Sequence, residues 1–142
     1  MSDQPLLVQP LFEFDVGAAI ELLISRGVAD SVAAIPRVAE ICRSSLSMCL
    51  CARRGNRIVG VVLAVFNGFH VFLSHIAVAE DEERQGLGTL LVDQLKREAA
   101  KRGARGIIAD AQFRSVHFFA KQGFRLPGVV FMIADSDTAD SP

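Results

Sequence analysis

Two glycines, Gly86 and Gly88, stand just ahead of an amphipathic run in the stretch "EERQGLGTLLVDQL", Glu82 to Leu95. Glycine is a costly residue to place at a helix start unless something must come close to the main chain. The chemistry this spacing offers is anion binding. Main-chain N–H groups at a helix N-terminus have no partner inside the helix, and the helix dipole favours negative charge there. With no side chain at Gly86 or Gly88, a pyrophosphate can approach the backbone of the turn. Arg84 adds a charge-assisted contact, Gln85 and Thr89 add amides, and Thr89 adds a hydroxyl. A plain tight turn before a surface helix would use the same residues, and taken alone they leave both readings open. The run is not a P-loop, because no Gly-Lys-Ser/Thr follows it. It is not the dinucleotide fingerprint either, which would need glycine at Leu91.

The elements that must position this turn can be read from periodicity. "PLLVQPL" reads as a short first strand limited by Pro5 and Pro10. Asp15 is placed to cap a helix whose apolar stripe is Val16, Ala19, Ile20, Leu23 and Ile24, with Gly27 at its stop. A second short helix starts near Pro36 and runs to about Ser44. "SMCLCAR" and "RIVGVVLAVF" form a hairpin about Gly55-Asn56, and "FHVFLSHIAVA" adds a third strand after Asn67-Gly68. The helix opened by the glycines buries Leu87, Leu90, Leu91, Leu95 and Ala99, and Gly103 ends it. "RGIIADA" is an apolar strand suited to a central place, "SVHFFAKQ" a short helix, and "VVFMIA" a last strand. The order is β-αα-βββ-α-β-α-β, an α/β (α+β) mixed sheet. The strand–helix–strand unit from about His70 to Ala111 requires a parallel pair. Residues 1–134 read as one domain and residues 135–142 as a polar tail.

Bulk properties remove other classes of function. At 142 residues and 51% hydrophobic content the chain has material for a core and is not disordered by composition. A net charge of −1 offers no polyanion surface, so no nucleic-acid partner is expected. No leader pattern is visible, and no apolar run reaches the roughly 18 residues of a membrane span. A cytoplasmic protein without a membrane partner is the default expectation. Cys42, Cys49 and Cys51 are an odd set without framework or metal-ligand spacing, and they read as small buried hydrophobes.

Residues 47–133 resemble the GNAT superfamily of acyl-CoA-dependent N-acetyltransferases. The family pattern [Q/R]-x-x-G-x-[G/A] corresponds to Glu83-Arg84-Gln85-Gly86-Leu87-Gly88, following "IAV", Ile76 to Val78. A second family segment, roughly N-x-x-A-x-x-[FY]-Y-x-K-x-G-F, corresponds to "QFRSVHFFAKQGF", Gln112 to Phe124. The resemblance implies a GNAT-like fold whose parallel strands, about 72–78 and 106–110, splay apart around acetyl-CoA. It implies acetyl transfer to a primary amine of a small molecule or peptide by direct attack, releasing CoA. It assigns main-chain groups of Ile76, Ala77 and Val78 to the pantetheine, and Val78's amide to the developing oxyanion. Arg84, Gln85, Gly86, Leu87, Gly88 and Thr89 go to the pyrophosphate, and Gln112 takes the place of the family's asparagine. Homodimers are common among such proteins.

Three departures bear on the chemistry. Glu83 stands where Gln or Arg is usual, and Phe119 stands where a tyrosine often protonates the leaving sulfur. Positions that often carry a base match Phe72 and Ser74. Period-two alternation puts His70, Phe72, Ser74 and Ile76 on one face and His75 on the other. His70, through water and Ser74, is therefore the side-chain candidate for proton removal, and a water chain alone is the other reading. His75 is read as packed against a helix, and Phe66, Phe69 and Phe72 as core. The alternative function is a CoA-binding module without turnover, acting as a sensor or partner subunit.

Overall fold

Alternating apolar residues build the sheet that everything else rests on. The computed structural model of the chain describes residues 4–111 and 115–136. The elements are β1 (Leu6–Pro10), α1 (Val16–Ser25), α2 (Ile35–Arg43), β2 (Leu50–Arg54), β3 (Arg57–Phe66), β4 (Val71–Val78), α3 (Leu87–Lys101), β5 (Ile107–Ala109) and α4 (Val116–Lys121). By contact they fall into two compact units, Met1–Ala109 and Asp110–Pro142. No helix among the described residues is long and apolar enough to cross a membrane.

The first unit is a five-stranded mixed sheet in the order β1-β2-β3-β4-β5. Neighbours from β1 to β4 pair antiparallel, and β5 runs parallel to β4. The parallel pair is the one required by the strand–helix–strand reading. Helices cover both faces. On one, α1 lays Val16, Ala19, Ile20 and Leu23 against Cys49, Cys51, Ile58, Val61, Leu63 and Ala77. Ile35, Val38, Ala39 and Cys42 of α2 pack on the margin of that core. On the other face, α3 closes on Gly60, where a Cβ would stand 2.9 Å from Leu91 Cδ1 and 3.5 Å from Leu87 Cδ2. Glycine at residue 60 is what lets α3 approach β3 so closely.

Several expectations are corrected. Asp15 makes no side-chain cap bond at α1, because its carboxylate accepts from Arg53 Nη1 at 2.9 Å instead. In α3 the buried stripe is Leu87, Leu91, Val92, Leu95 and Ala99, while Leu90 is exposed. The stripe turns with the 3.6-residue period, and Leu90 falls outside it. β5 is not central: it forms the sheet's edge among the described residues, with Ile108 exposed. Phe69 and Phe72 are exposed and Phe66 is only half-buried, so this trio is not core.

The second unit, described by itself, holds α4, where Phe119 is buried with its ring edge-on to Phe118 and Phe124. The expected last strand is not formed. Residues 129–134 take no regular structure, and Val129, Val130, Phe131, Met132 and Ile133 are 67–85% exposed. Apolar and β-branched content favours a strand only when another strand supplies the ladder.

Candidate active site

The sheet departs from regularity at one serine on β4. Phe66, Val65 and Ala64 of β3 pair with Val71, Phe72 and Leu73, but the next pair is Leu63 with His75. Ser74 is therefore an inserted residue, a β-bulge. The pairing of β4 with β5 stops at the same place, after Val71–Ile107, Phe72–Ile108 and Leu73–Ala109. Among the described residues, no strand pairs with the β5 side of β4 from Ser74 to Val78. The parallel pair separates here, as the sequence reading expects.

The bulge also changes which groups point where. His75 and Ala77 sit across from Leu63 and Val61, on the face covered by α1. Ile76 and Val78 sit across from Val62 and Gly60, on the α3 face. Phe72, across from Val65, shares the face of His75 and not that of Ile76. The expectation that His70, Phe72, Ser74 and Ile76 share one face fails, because an inserted residue resets period-two alternation. Main-chain direction follows the same count. Ala79 donates its N–H to Val59 O at 2.8 Å, so the amides of Val78 and Ile76 alternate away from β3, toward the bare edge.

Ser74 and His75 are brought together by the bulge. Ser74 Oγ lies 2.8 Å from His75 Nδ1 and 3.4 Å from Leu63 O. His70 is placed elsewhere, just before β4, where β5 is still paired. Its N–H donates to Asn67 Oδ1 at 2.9 Å, and its ring packs beside Gly106. The structure does not join His70 to Ser74. Four residues of strand, about 13 Å, separate them.

Downstream of β4 the chain makes a single helical turn, Glu80–Glu82, and then the glycine turn. Every acid of this segment is held by an arginine from elsewhere. Arg26, at the end of α1, pairs with Glu83 and lies 3.8 Å from Glu80. Arg57 reaches Asp81 through two bonds of 2.7 and 2.8 Å, which hold that carboxyl below its usual range. Arg54 Nε lies 3.0 and 3.1 Å from the two oxygens of Glu82, a buried carboxylate. Glu83, the acidic departure from the family pattern, is thus matched by a guanidinium. The sequence reading missed these clamps. Their partners lie 24 to 57 residues apart, beyond any local spacing rule.

The turn itself is left-handed twice, at Arg84 (φ 63°) and Gly86 (φ 80°). A non-glycine residue in that region carries strain of about 1 kcal/mol or more, and such strain concentrates where a ligand needs the backbone shape. The first i−4 bond of α3 runs from Leu90 N to Gly86 O at 3.0 Å, so the amides of Leu87 and Gly88 precede the helix ladder. No side chain caps this helix end. A Cβ on Gly86 would meet nothing within 4 Å, so the space beside the turn is open. Arg84 and Gln85 are exposed at its rim, and Thr89 stands in the first helical turn. Successive amides in an open left-handed turn suit a diphosphate, so the residues fit the nucleotide end of acetyl-CoA. Gln112 lies outside the described residues, and Phe119 sits in the second unit among its own aromatic neighbours.

Residues 19–124 match the model of the Acetyltransferase (GNAT) family. No curated protein sequence matches the chain. Among solved structures, an aminoglycoside acetyltransferase from an uncultured soil metagenomic sample, crystallised with trehalose, superposes with a TM-score of 0.80 at 16% identity. That match covers 94% of this chain and 97% of the other. Aminoglycoside N-acetyltransferase AAC(6')-Iy in complex with CoA gives 0.79 at 16% identity, again over 94% and 97%. A ribosomal-protein-alanine N-acetyltransferase from Brucella melitensis biovar Abortus 2308 gives 0.75 at 18% identity, over 93% and 100%. At these identities the likenesses establish the fold. The family's co-substrate is acetyl-CoA. With its parallel strands parting at Ser74 and its glycine turn opening α3, this chain belongs to the GNAT acetyltransferase family.

Proposed function

We propose that the protein transfers an acetyl group from acetyl-CoA to a primary amine by direct attack, without a covalent enzyme intermediate. The observation that carries this reading is the continuity of two features. The bare edge of β4 from Ser74 to Val78 leads directly into the clamped left-handed turn at residues 84–86. Acetyl-CoA would supply the activated acyl carbon and the thiol leaving group. The residues of this chain bind, orient and move a proton. Main-chain groups of Ile76 and Val78 hold the pantetheine as an extra strand would be held, those of Ala77 being turned to β3, and Val78's N–H serves the developing oxyanion. Amides from Arg84 to Thr89, with the Arg84 guanidinium, hold the pyrophosphate.

The amine must lose a proton before it attacks. Ser74 and His75, 2.8 Å apart beside the bare edge, form the better-placed route for it. His70, the sequence candidate, lies just before β4 with its N–H on Asn67. Phe119 has no proton to give, so the thiolate leaves unassisted or takes its proton from water, consistent with a free thiol pKa of about 8.5. Acceptors on the solved relatives include aminoglycosides and, by its name, a ribosomal-protein alanine. Their shared group is a primary amine, on a small molecule or a peptide, and that is the acceptor class proposed here.

Calorimetry with CoA, paired with thiol release from acetyl-CoA over a panel of primary amines, tests the proposal. Binding heat together with amine-dependent thiol release supports it. Heat without release across the panel identifies a CoA-binding module without turnover. No heat at millimolar CoA sinks both.

A further inference from the structure

We propose that the acceptor is a primary monoamine carrying an apolar group, seated on the side chains of Val65, Phe72 and Ile108. This names the substrate class of the transfer site, and it rests on the acetyl-transfer reading above. The three residues form one row across three strands. Val65 of β3 pairs with Phe72 of β4, and Phe72 pairs with Ile108 of β5. Directly paired residues put their side chains on one face, so the row is continuous and about 10 Å wide. All three are exposed, at 36%, 38% and 51%. The buried cluster beneath α1 includes Leu63 but not Val65, so the row lies just past the end of that core. A single exposed apolar side chain needs no explanation, but three in one cross-strand ladder make a patch.

The patch stands at the mouth of the opening between the parallel strands. Leu73–Ala109 is the last pair before β4 and β5 part, and Phe72–Ile108 is the pair just before it. Phe72 and His75 are next neighbours on their face, since their partners Val65 and Leu63 are two residues apart, about 7 Å. An amine at Ser74 and His75 thus has its substituent within reach of the row. Charge points the same way. Among the described residues the five strands carry no carboxylate, and their fixed charges are Arg53, Arg54 and Arg57. The acids that follow β4, Glu80 to Glu83, are already matched by Arg26, Arg54 and Arg57. A polyamine would lose water from several charges here without gaining an opposite one, whereas one amine on an apolar stem loses little.

An apolar floor also favours the reaction. Desolvation beside it favours the neutral amine, the form that attacks. The amine nitrogen bonds the acyl carbon, the carbon–sulfur bond breaks, and the nitrogen's proton ends on the thiol. One amine and one thioester give one amide and one free thiol. A methylene laid on the row leaves water on one side only, so it contributes about half as much as a buried one, roughly a two-fold gain in affinity. Phe72 offers the largest of the three surfaces and sets specificity without carrying a proton.

The test measures thiol release from acetyl-CoA with butylamine, hexylamine, phenethylamine and spermidine, together with calorimetry of hexylamine on the CoA-loaded protein. From butylamine to hexylamine kcat/KM is expected to rise about four-fold, and phenethylamine should exceed spermidine. Phe72→Ser should raise KM for hexylamine about five-fold with KM for acetyl-CoA unchanged, and Phe72→Leu should restore it. Thiol release that ignores chain length, as a second copy seated on the row would give, overturns the inference and leaves acetyl transfer standing. So does a preference for spermidine, or a hexylamine KM that Phe72→Ser leaves unchanged. Hexylamine heat present in the wild type and absent in Phe72→Ser, without thiol release, supports the apolar seat and removes the transfer reading. Neither heat nor release with hexylamine overturns the inference. The wild-type amine series decides the matter even if a variant folds poorly.

Discussion

Gly86 carries the most specific demand in the molecule. It is left-handed at φ 80°, and the space a side chain would fill lies open beside the helix end. Gly86→Val is expected to abolish detectable CoA binding by calorimetry, with a near-native far-UV spectrum, because the branched side chain occupies the approach path and disfavours the turn. Arg84 poses a different problem, since it holds a glycine-like conformation while carrying a charge. Arg84→Gly relieves about 1 kcal/mol of backbone strain while loosening the unfolded chain by a similar amount. Stability should change little, while CoA affinity falls about ten-fold as one charge-assisted contact is lost. For proton removal, His75→Ala should cut turnover ten-fold or more with acetyl-CoA affinity retained, and His70→Ala should leave both unchanged. The reverse pattern would return the role to His70. Which face Phe72 shares was not readable from residue spacing, because one inserted serine shifts the alternation of β4.

At the scale of elements, the site depends on a short acidic turn held by arginines from α1, β2 and β3. The Arg54–Glu82 pair is the most buried of these, with Glu82 7% exposed. Arg54→Met leaves that carboxylate unpaired and should cost about 3 kcal/mol, a Tm lower by roughly 10 °C in a thermal melt. Adding Glu82→Gln should recover much of the loss, since a neutral amide is cheaper to bury than an unpaired charge. A second dependence is the fit of α3 on β3. Gly60→Ala puts a methyl group 2.9 Å from a buried leucine carbon and should cost about 1–2 kcal/mol by overpacking. Elements with strong periodicity, such as α1 and α3, were legible in the chain within a residue or two. The rank of β5 was not, because an apolar run of three residues reads the same at an edge as at a centre.

For the whole molecule, binding and folding are linked. CoA at one hundred times its dissociation constant should stabilise the native state by about 2.7 kcal/mol and raise Tm by several degrees, and Gly86→Val should show no such shift. The apolar stretch from Val129 to Ile133 illustrates what composition cannot supply. Its residues favour a strand, yet in the structure it lies exposed and unpaired. β-structure is completed by a neighbour's hydrogen bonds, and no run of residues contains its own neighbour.

What the chain alone determined were the features encoded within a few residues. These are the order of elements as far as α4, the glycine turn that opens α3, the parallel strand–helix–strand unit, and the motif pair that marks the family. Each depends on local dihedral preference or on a short repeat, and those survive in one dimension. Tertiary structure decided the rest. It placed the bulge at Ser74 that resets which β4 side chains share a face, set three arginines on four acids, and left the final apolar segment without a ladder. Those outcomes depend on register and on contacts between residues far apart in sequence, which only the packed molecule specifies.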